Sequence, residues 1–417
     1  MSELTTTEGR KSAQVHESSF VAFDHAAAGH DGVLCHEDGS LIAKPCTPQE
    51  IEFYESSARH PEFRKYMPIF MGTLAVFSEE PSKPATLRPP EVSAALPSSS
   101  GADTPLTPEL STHPDLVSIA KASQNKPEWV PSGGRRIETG CSIVLENVAG
   151  GFQKPSVLDV KLGARLWDDD APLSKRERLD EVSRYTTSSG LGFRIAGMKT
   201  WIGEAATPFS GERLVPTEKH IPGDANEEVR RSMKIVEEEG YRRYDKYYGR
   251  AFNEHNVKTA IRSFLDSANI GTTDRSKLIA QRIAARLRAM QSMLEKEESR
   301  MYSASILIVY EGEPEALERA LGEEEEEKQK RYYQAGSTPE VDFTDLVLMR
   351  PSQASCQNAI TSDGNLNDEE VAEVRKVLDI RLIDFAHARW TPGQGPDENV
   401  LQGVRSLVSI MEALANG

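Results

Sequence analysis

Apolar and polar positions follow two different periods along the chain. Residues 32–36 and 41–44 are short strand-like runs, and Asp38-Gly39 between them predicts a hairpin. Thr47 and Pro48 then open a helix that carries Phe53 and Tyr54, with Thr47 as its cap. Residues 141–148 read as an apolar strand ending at Gly150 and Gly151, and residues 157–162 as a strand alternating apolar with charged positions. A basic helix follows over about 174–185. A 3.6-residue period puts Val257, Ile261, Phe264 and Leu265 on one helix, and Ile279, Ile283, Leu287, Met290 and Leu294 on a longer one. Strands are predicted over 305–310 and 380–385. A closing helix from about Asn399 turns Leu401, Val404, Leu407, Val408 and Met411 toward a core.

Three stretches carry no such period. Residues 1–20 are polar and read as a disordered tail. Residues 78–114 hold eight of the 24 prolines together with many Ser, Thr and Ala, a composition that builds no core and predicts a disordered insertion. Five glutamates at 323–327 begin a second polar insertion, expected over about 322–370 as a solvated loop. The class is therefore α+β with two lobes: residues 21–148, interrupted by the first insertion, and residues 149–417, containing the basic helix and the second.

Composition narrows the function. Of 417 residues, 38% are hydrophobic, enough for two lobes of ordinary size. With 49 basic and 65 acidic residues the net charge is −16, which argues against direct nucleic-acid binding and against a membrane-surface role. No apolar run approaches the ~18 residues of a spanning helix, and the first thirty residues lack a signal-peptide pattern. The four cysteines form no CxxC pair and the nine histidines no HExxH, so neither a disulfide framework nor a transition-metal site is expected.

Three elements carry candidate chemistry. In PSVLDVKLG, Asp159 and Lys161 stand two apart on one strand and share a face, where they either hold a ligand between them or form an exposed ion pair. Asp384, between Ile383 and Phe385, either caps a turn or needs a partner such as Mg²⁺ to offset its burial. Lys44 stands on a strand just before the helix of Glu50, and a strand lysine paired with a helix glutamate is how kinase-type folds place a cation on nucleotide phosphates.

Together these residues resemble a known family. PSVLDVKLG fits PxxxDxKxG, the signature of the inositol polyphosphate kinases. KPCTPQEIEFYE, IVLENVAGGFQKP, TTSSGLGFRIAGMK, YYGRAF, SASILIVYEG and LIDFAHARW resemble the family's other blocks in order. The resemblance covers about 21–77, 135–312 and 375–417 and is nearest to the fungal multikinases. It implies a two-lobed fold distantly related to protein kinases, with ATP and Mg²⁺ as cofactors and adenine against a hinge at Glu146 to Val148. It further implies Lys44 on the ATP phosphates and Asp159 on the ribose. Lys161 would lie between the inositol phosphate and the transferred group, and Asp384 with Ser305 would hold Mg²⁺. Lys175, Arg176, Arg178 and Arg184 on the basic helix, with His387, would bind substrate phosphates; without the family context the same helix is an exposed face with pairs such as Asp180–Arg184.

The implied reaction is phosphorylation of inositol 1,4,5-trisphosphate to tetrakis- and pentakisphosphate. One alternative is an inositol hexakisphosphate kinase making pyrophosphates. The other is an adaptor for transcription-complex proteins in the nucleus, and the resemblance implies a nuclear and cytoplasmic address. The chain departs from the family in two places. Ala304 replaces the first serine of an SSLL-like block, and Glu177, Asp180 and Glu181 stand where animal multikinases carry Gln and Lys. No GxGxxG, HRD or DFG is present, which counts against a protein kinase.

Overall fold

The hairpin around Asp38 forms as its turn residues predict. The computed structural model describes residues 20–23, 32–75, 140–204, 213–214, 221–222, 227–269, 273–334 and 375–417. The expected tail at 1–20, apart from Phe20, the insertion 78–114 and most of the insertion beyond 334 lie outside the described residues. The described residues belong to a compact unit comprising 1–75 and 132–417.

Strands β1 (Phe20–Ala22), β2 (Leu34–His36), β3 (Leu41–Pro45), β4 (Phe70–Ala75) and β5 (Cys141–Glu146) form an antiparallel sheet in the order β1-β2-β3-β5-β4. Helix α1 (Pro48–Ser56) follows β3, and the Thr47 hydroxyl accepts the Glu50 N–H as its cap. A second sheet contains β6 (Pro155–Leu162), β7 (Phe193–Trp201), β8 (Arg213–Leu214), β9 (Ile235–Glu238), β10 (Tyr241–Tyr244), β12 (Ser305–Glu311) and β13 (Leu378–Ile383). Its order is β13-β12-β6-β7-β10-β9-β8. Strands β11 (Ser299–Met301) and β14 (Ala388–Trp390) pair separately. Every pair in the three sheets is antiparallel, so residues distant in sequence meet across neighbouring strand ends.

The basic helix α2 (Leu173–Arg184) is exposed along most of its length. Helices α3 (Val257–Leu265), α4 (Ser276–Leu294) and α6 (Glu398–Asn416) bury the apolar stripes read from their spacing, and α6 lies along α4. One hydrophobic core runs through both sheets, from Ile143 and Leu145 to Leu158, Ile308 and Leu382. Aromatic stacking fixes α1 to the segment after β13: the Phe53 ring lies 4.9 Å from Phe385 and 4.6 Å from Trp390, and Tyr54 meets Phe385 edge-on at 5.3 Å. A backbone bond from the Leu382 N–H to the Tyr66 carbonyl (2.7 Å) and one from the Arg381 guanidinium to the Lys65 carbonyl (2.8 Å) complete that junction.

Two expectations are corrected. The glutamates at 323–327 do not begin a loop: they lie inside helix α5 (Pro314–Gln334). Glutamate is a good helix former, and cations offset the like charges. Arg331 pairs with Glu327 at 3.0 Å within the helix, Arg282 reaches Glu324 at 2.6 Å from α4, and Arg375 reaches Glu323. The last strand ends at Ile383 rather than continuing through Phe385, because Asp384 adopts a left-handed conformation (φ 66°) that no strand accommodates.

Candidate active site

The ends of three adjacent strands assemble the site. On the central strand β12, Ser305 faces Lys161 of β6 on one side and Ile383 of β13 on the other. Asp159 is level with Leu307 of the same strand. The chain leaves β13 at Asp384, one residue beyond Ile383, so Asp159, Lys161, Ser305 and Asp384 converge at one corner of the sheet. The final glycine of PSVLDVKLG has a local reason as well. Gly163 takes φ +94°, and a Cβ there would stand 2.5 Å from Nδ2 of Asn399, whose Oδ1 accepts the N–H groups of Ala164 and Arg165.

Asp384 is the hub. Its Oδ1 accepts from Lys44 Nζ at 2.7 Å and its Oδ2 from Lys161 Nζ at 3.0 Å, one lysine from each sheet. Lys44 also donates to Oε1 of the buried Glu50 at 2.8 Å, and the same oxygen accepts the Phe385 N–H at 3.2 Å. Burial works to raise the Asp384 carboxyl, but Lys44 and then Lys161 overrule it and hold it well below the usual carboxylate range. Burial likewise works against the Lys44 charge, and Asp384 and Glu50 reverse that effect, raising its pKa. Lys161 further donates to the Ser303 carbonyl at 3.2 Å and to Ser305 Oγ at 3.3 Å. Ser303, like Asp384, is a non-glycine residue at positive φ (59°), so two of the groups around this ammonium sit in strained backbone costing about 1 kcal/mol or more each.

Asp159 is the opposite case. It is buried, and Oδ1 has no hydrogen-bond partner. Burial raises its pKa and the charge of Asp384 adds to the effect; Lys161, the Ser305 hydroxyl and Arg194 pull the other way, leaving the carboxyl pushed up to about 6. Arg194 is the register partner of Lys161 on β7 and donates to Ser188 Oγ at 3.1 Å; burial and neighbouring Arg250 push it down to about 10. Sequence reasoning missed Arg194, although a guanidinium set between Phe193 and Ile195 in an apolar strand is itself a signal.

The other expected residues are divided by the geometry. Lys175 stands 3.3 Å from Nε2 of His387, whose Nδ1 pairs with Asp168. Arg178 shares a helix face with Lys175, three residues away. Arg176 instead donates to the carbonyls of Ala171 (2.7 Å) and Asp169 (2.5 Å) and lies over the Trp167 ring, while Arg184, half a turn round from Lys175, lies over Tyr185. Asp180 accepts from Trp167 Nε1 at 2.6 Å. The segment Glu146 to Val148, expected as a hinge, closes the first sheet. Glu146 Oε2 accepts the Ile69 N–H at 3.2 Å, Asn147 Nδ2 reaches the Gly39 carbonyl at 2.7 Å, and Val148 is buried against Val157 and Val309.

Comparison with known proteins gives a consistent result. The family model for inositol polyphosphate kinase matches residues 142–412. The inositol polyphosphate multikinase of Saccharomyces cerevisiae is 31% identical over 411 residues, covering 94% of this chain and 98% of its own length. The multikinase of Schizosaccharomyces pombe is 34% identical over 179 residues, 43% of this chain and 51% of that protein. Human inositol hexakisphosphate kinase 1 is 28% identical over 280 residues, 65% of this chain and 52% of that protein. The crystal structure of inositol phosphate multikinase Ipk2 from S. cerevisiae, in complex with ADP and Mn²⁺, superposes with a TM-score of 0.52 at 27% identity, covering 90% of this chain and 99% of that one. The strand-end cluster, the two-lobed α+β fold and these matches agree that the chain belongs to the inositol polyphosphate kinase family.

Proposed function

We propose that the chain is an ATP- and Mg²⁺-dependent kinase that phosphorylates inositol 1,4,5-trisphosphate stepwise to the tetrakis- and pentakisphosphate. The observation that carries this reading is the Asp384 carboxylate held between Lys44 and Lys161, one cation from each lobe. Phosphoryl transfer forms a bond from the inositol hydroxyl oxygen to the γ-phosphorus and breaks the bond to the β,γ-bridging oxygen, releasing ADP and giving up the hydroxyl proton to solvent. It calls for in-line positioning and for cations where charge develops. In this reading Lys44 serves the nucleotide phosphates and Lys161 the transferred group. Glu146 to Val148 form the adenine hinge, and Asp159 orients the ribose beside the reacting centre.

The residues fit a hard divalent cation. Among the described residues, no group of three or more His, Cys, Asp and Glu side chains forms a metal cage. Asp384, Ser305 and the unpartnered Oδ1 of Asp159 are oxygen donors of the kind Mg²⁺ takes when phosphates and waters complete its shell. Asp384 spends one lone pair per oxygen on its lysines and keeps others for a cation. Bound there, the cation supplies charge neutralisation on the nucleotide phosphates.

The S. cerevisiae relative that spans nearly the whole chain is a multikinase, which supports the trisphosphate as substrate. Several hexakisphosphate kinases match over about two thirds of the chain and support that activity as the second reading. Product analysis with each inositol phosphate separately tests the choice. Tetrakis- and pentakisphosphate from the trisphosphate supports the first, and pyrophosphate from the hexakisphosphate the second.

A further inference from the structure

Asp168 is a buried carboxylate on the loop between β6 and α2. Its Oδ2 lies 2.5 Å from Nδ1 of His387, on the turn between β13 and β14. The other ring nitrogen, Nε2, lies 3.3 Å from Lys175 Nζ in the first turn of α2. A carboxylate only accepts, so Nδ1 carries the proton; an ammonium only donates, so Nε2 does not. The two contacts therefore select a single neutral tautomer. Burial, and then the Lys175 charge, hold the ring below its ordinary pKa against the pull of Asp168 and of Glu50, in keeping with that form. Asp169, next in sequence, is committed elsewhere, to Arg165 and Arg389.

We propose that Asp168 is a positioning residue for the inositol phosphate subsite: by accepting the hydrogen bond of His387 Nδ1–H it keeps the proton on Nδ1 and leaves Nε2 as the acceptor that holds the Lys175 ammonium. Lys175 then keeps two donors for a substrate phosphate. The inference rests on the proposed function for the identity of that substrate. It also has a counterintuitive consequence. Asp168 adds negative charge beside an anion-binding subsite, so a purely electrostatic role predicts tighter substrate binding once it is removed. Positioning predicts the reverse.

The test uses the full chain with ¹⁵N-labelled histidine, comparing wild type, Asp168→Ala, Asp168→Asn, His387→Ala and the Asp168→Ala/His387→Ala double variant. Asp168→Val replaces Asp168→Ala if the latter does not fold. In wild type and in Asp168→Asn, whose amide oxygen still accepts, the His387 ring shows Nδ1–H. In Asp168→Ala the population moves to Nε2–H. KM for inositol trisphosphate rises about tenfold in Asp168→Ala, the loss of about one hydrogen bond, and KM for ATP is unchanged. Asp168→Asn recovers most of that loss, and the double variant is no worse than His387→Ala. Unchanged Nδ1–H in Asp168→Ala, a lowered KM, or additive losses in the double variant would overturn the inference. Wild-type protein inactive on every inositol phosphate would sink the proposed function instead, and the tautomer comparison would still decide whether Asp168 sets His387.

Discussion

Lys44 Nζ and Asp384 Oδ1 are 2.7 Å apart although 340 positions separate them in the chain. The contact ties the five-stranded sheet to the end of β13. Glu50, buried on α1, grips both sides by accepting from Lys44 and from the Phe385 N–H. The aromatic stack of Phe53, Phe385 and Trp390 lies directly beneath. The cations that the chemistry needs are thus held by carboxylates that the core keeps in place.

Lys161→Ala removes the ammonium proposed to meet the transferred group and leaves the second sheet intact. We expect kcat to fall by roughly 10² to 10³ with little change in either KM, as for loss of one preorganised donor. Steady-state kinetics with the trisphosphate checks this. Activity within a few-fold of wild type contradicts the role of Lys161.

Asp384→Asn leaves Lys44 and Lys161 without their shared counter-charge. Because the folded carboxyl sits below its unfolded value, its contribution is present above about pH 4 and is lost as pH falls, when the unfolded chain takes up a proton that the folded one does not. The variant is expected to be about 3 kcal/mol less stable at pH 7, with the gap narrowing as pH falls below about 4. Urea denaturation across that range reads the difference, and a gap independent of pH would refute the assignment.

Asp159→Asn should do the opposite. The folded carboxyl titrates near 6, above its unfolded value, so the folded protein holds the proton longer and wild-type stability falls as pH rises from about 4 to 6. With a chelator present, the asparagine variant is expected to be about 3 kcal/mol more stable than wild type at pH 7.5 and equal to it at pH 4, while turnover is lost. Lower stability of the variant at pH 7.5 would show that Asp159 is compensated in the folded protein.

On α2 the proposed subsite takes its cations from one helix face, that of Lys175. Arg178→Glu, on the face of Lys175, is expected to raise KM for the inositol phosphate about tenfold and leave KM for ATP unchanged. Arg184→Glu, on the opposite face, should leave both within about twofold. Equal effects of the two substitutions would remove the distinction between the faces.

Much of this arrangement was legible in the chain. Period and turn chemistry predicted the hairpin at Asp38, the Thr47 cap and the stripes of α3, α4 and α6, because each depends on local spacing. Asp159, Lys161 and Asp384 stood out because charges inside apolar strands need partners, and PxxxDxKxG supplied a family in which to place them. Their meeting depends on the register of β12 between β6 and β13, a non-local fact that no spacing encodes. Like charge in the glutamate run suggests a solvated loop, whereas Arg282 and Arg375 arrive from elsewhere in the chain to stabilise a helix. Asp168 and Arg176 sit in a polar stretch, DDDAPLSKRER, that does not reveal which charge turns inward. Nothing in it singles out Asp168 or separates Arg176 from Lys175 and Arg178.

The central claim is tested most directly by product analysis of the purified full chain with ATP, Mg²⁺ and inositol 1,4,5-trisphosphate, with hexakisphosphate in parallel. The account predicts successive tetrakis- and pentakisphosphate from the trisphosphate, abolished in Asp384→Ala. Pyrophosphate formed only from the hexakisphosphate, or no turnover of either, would contradict it.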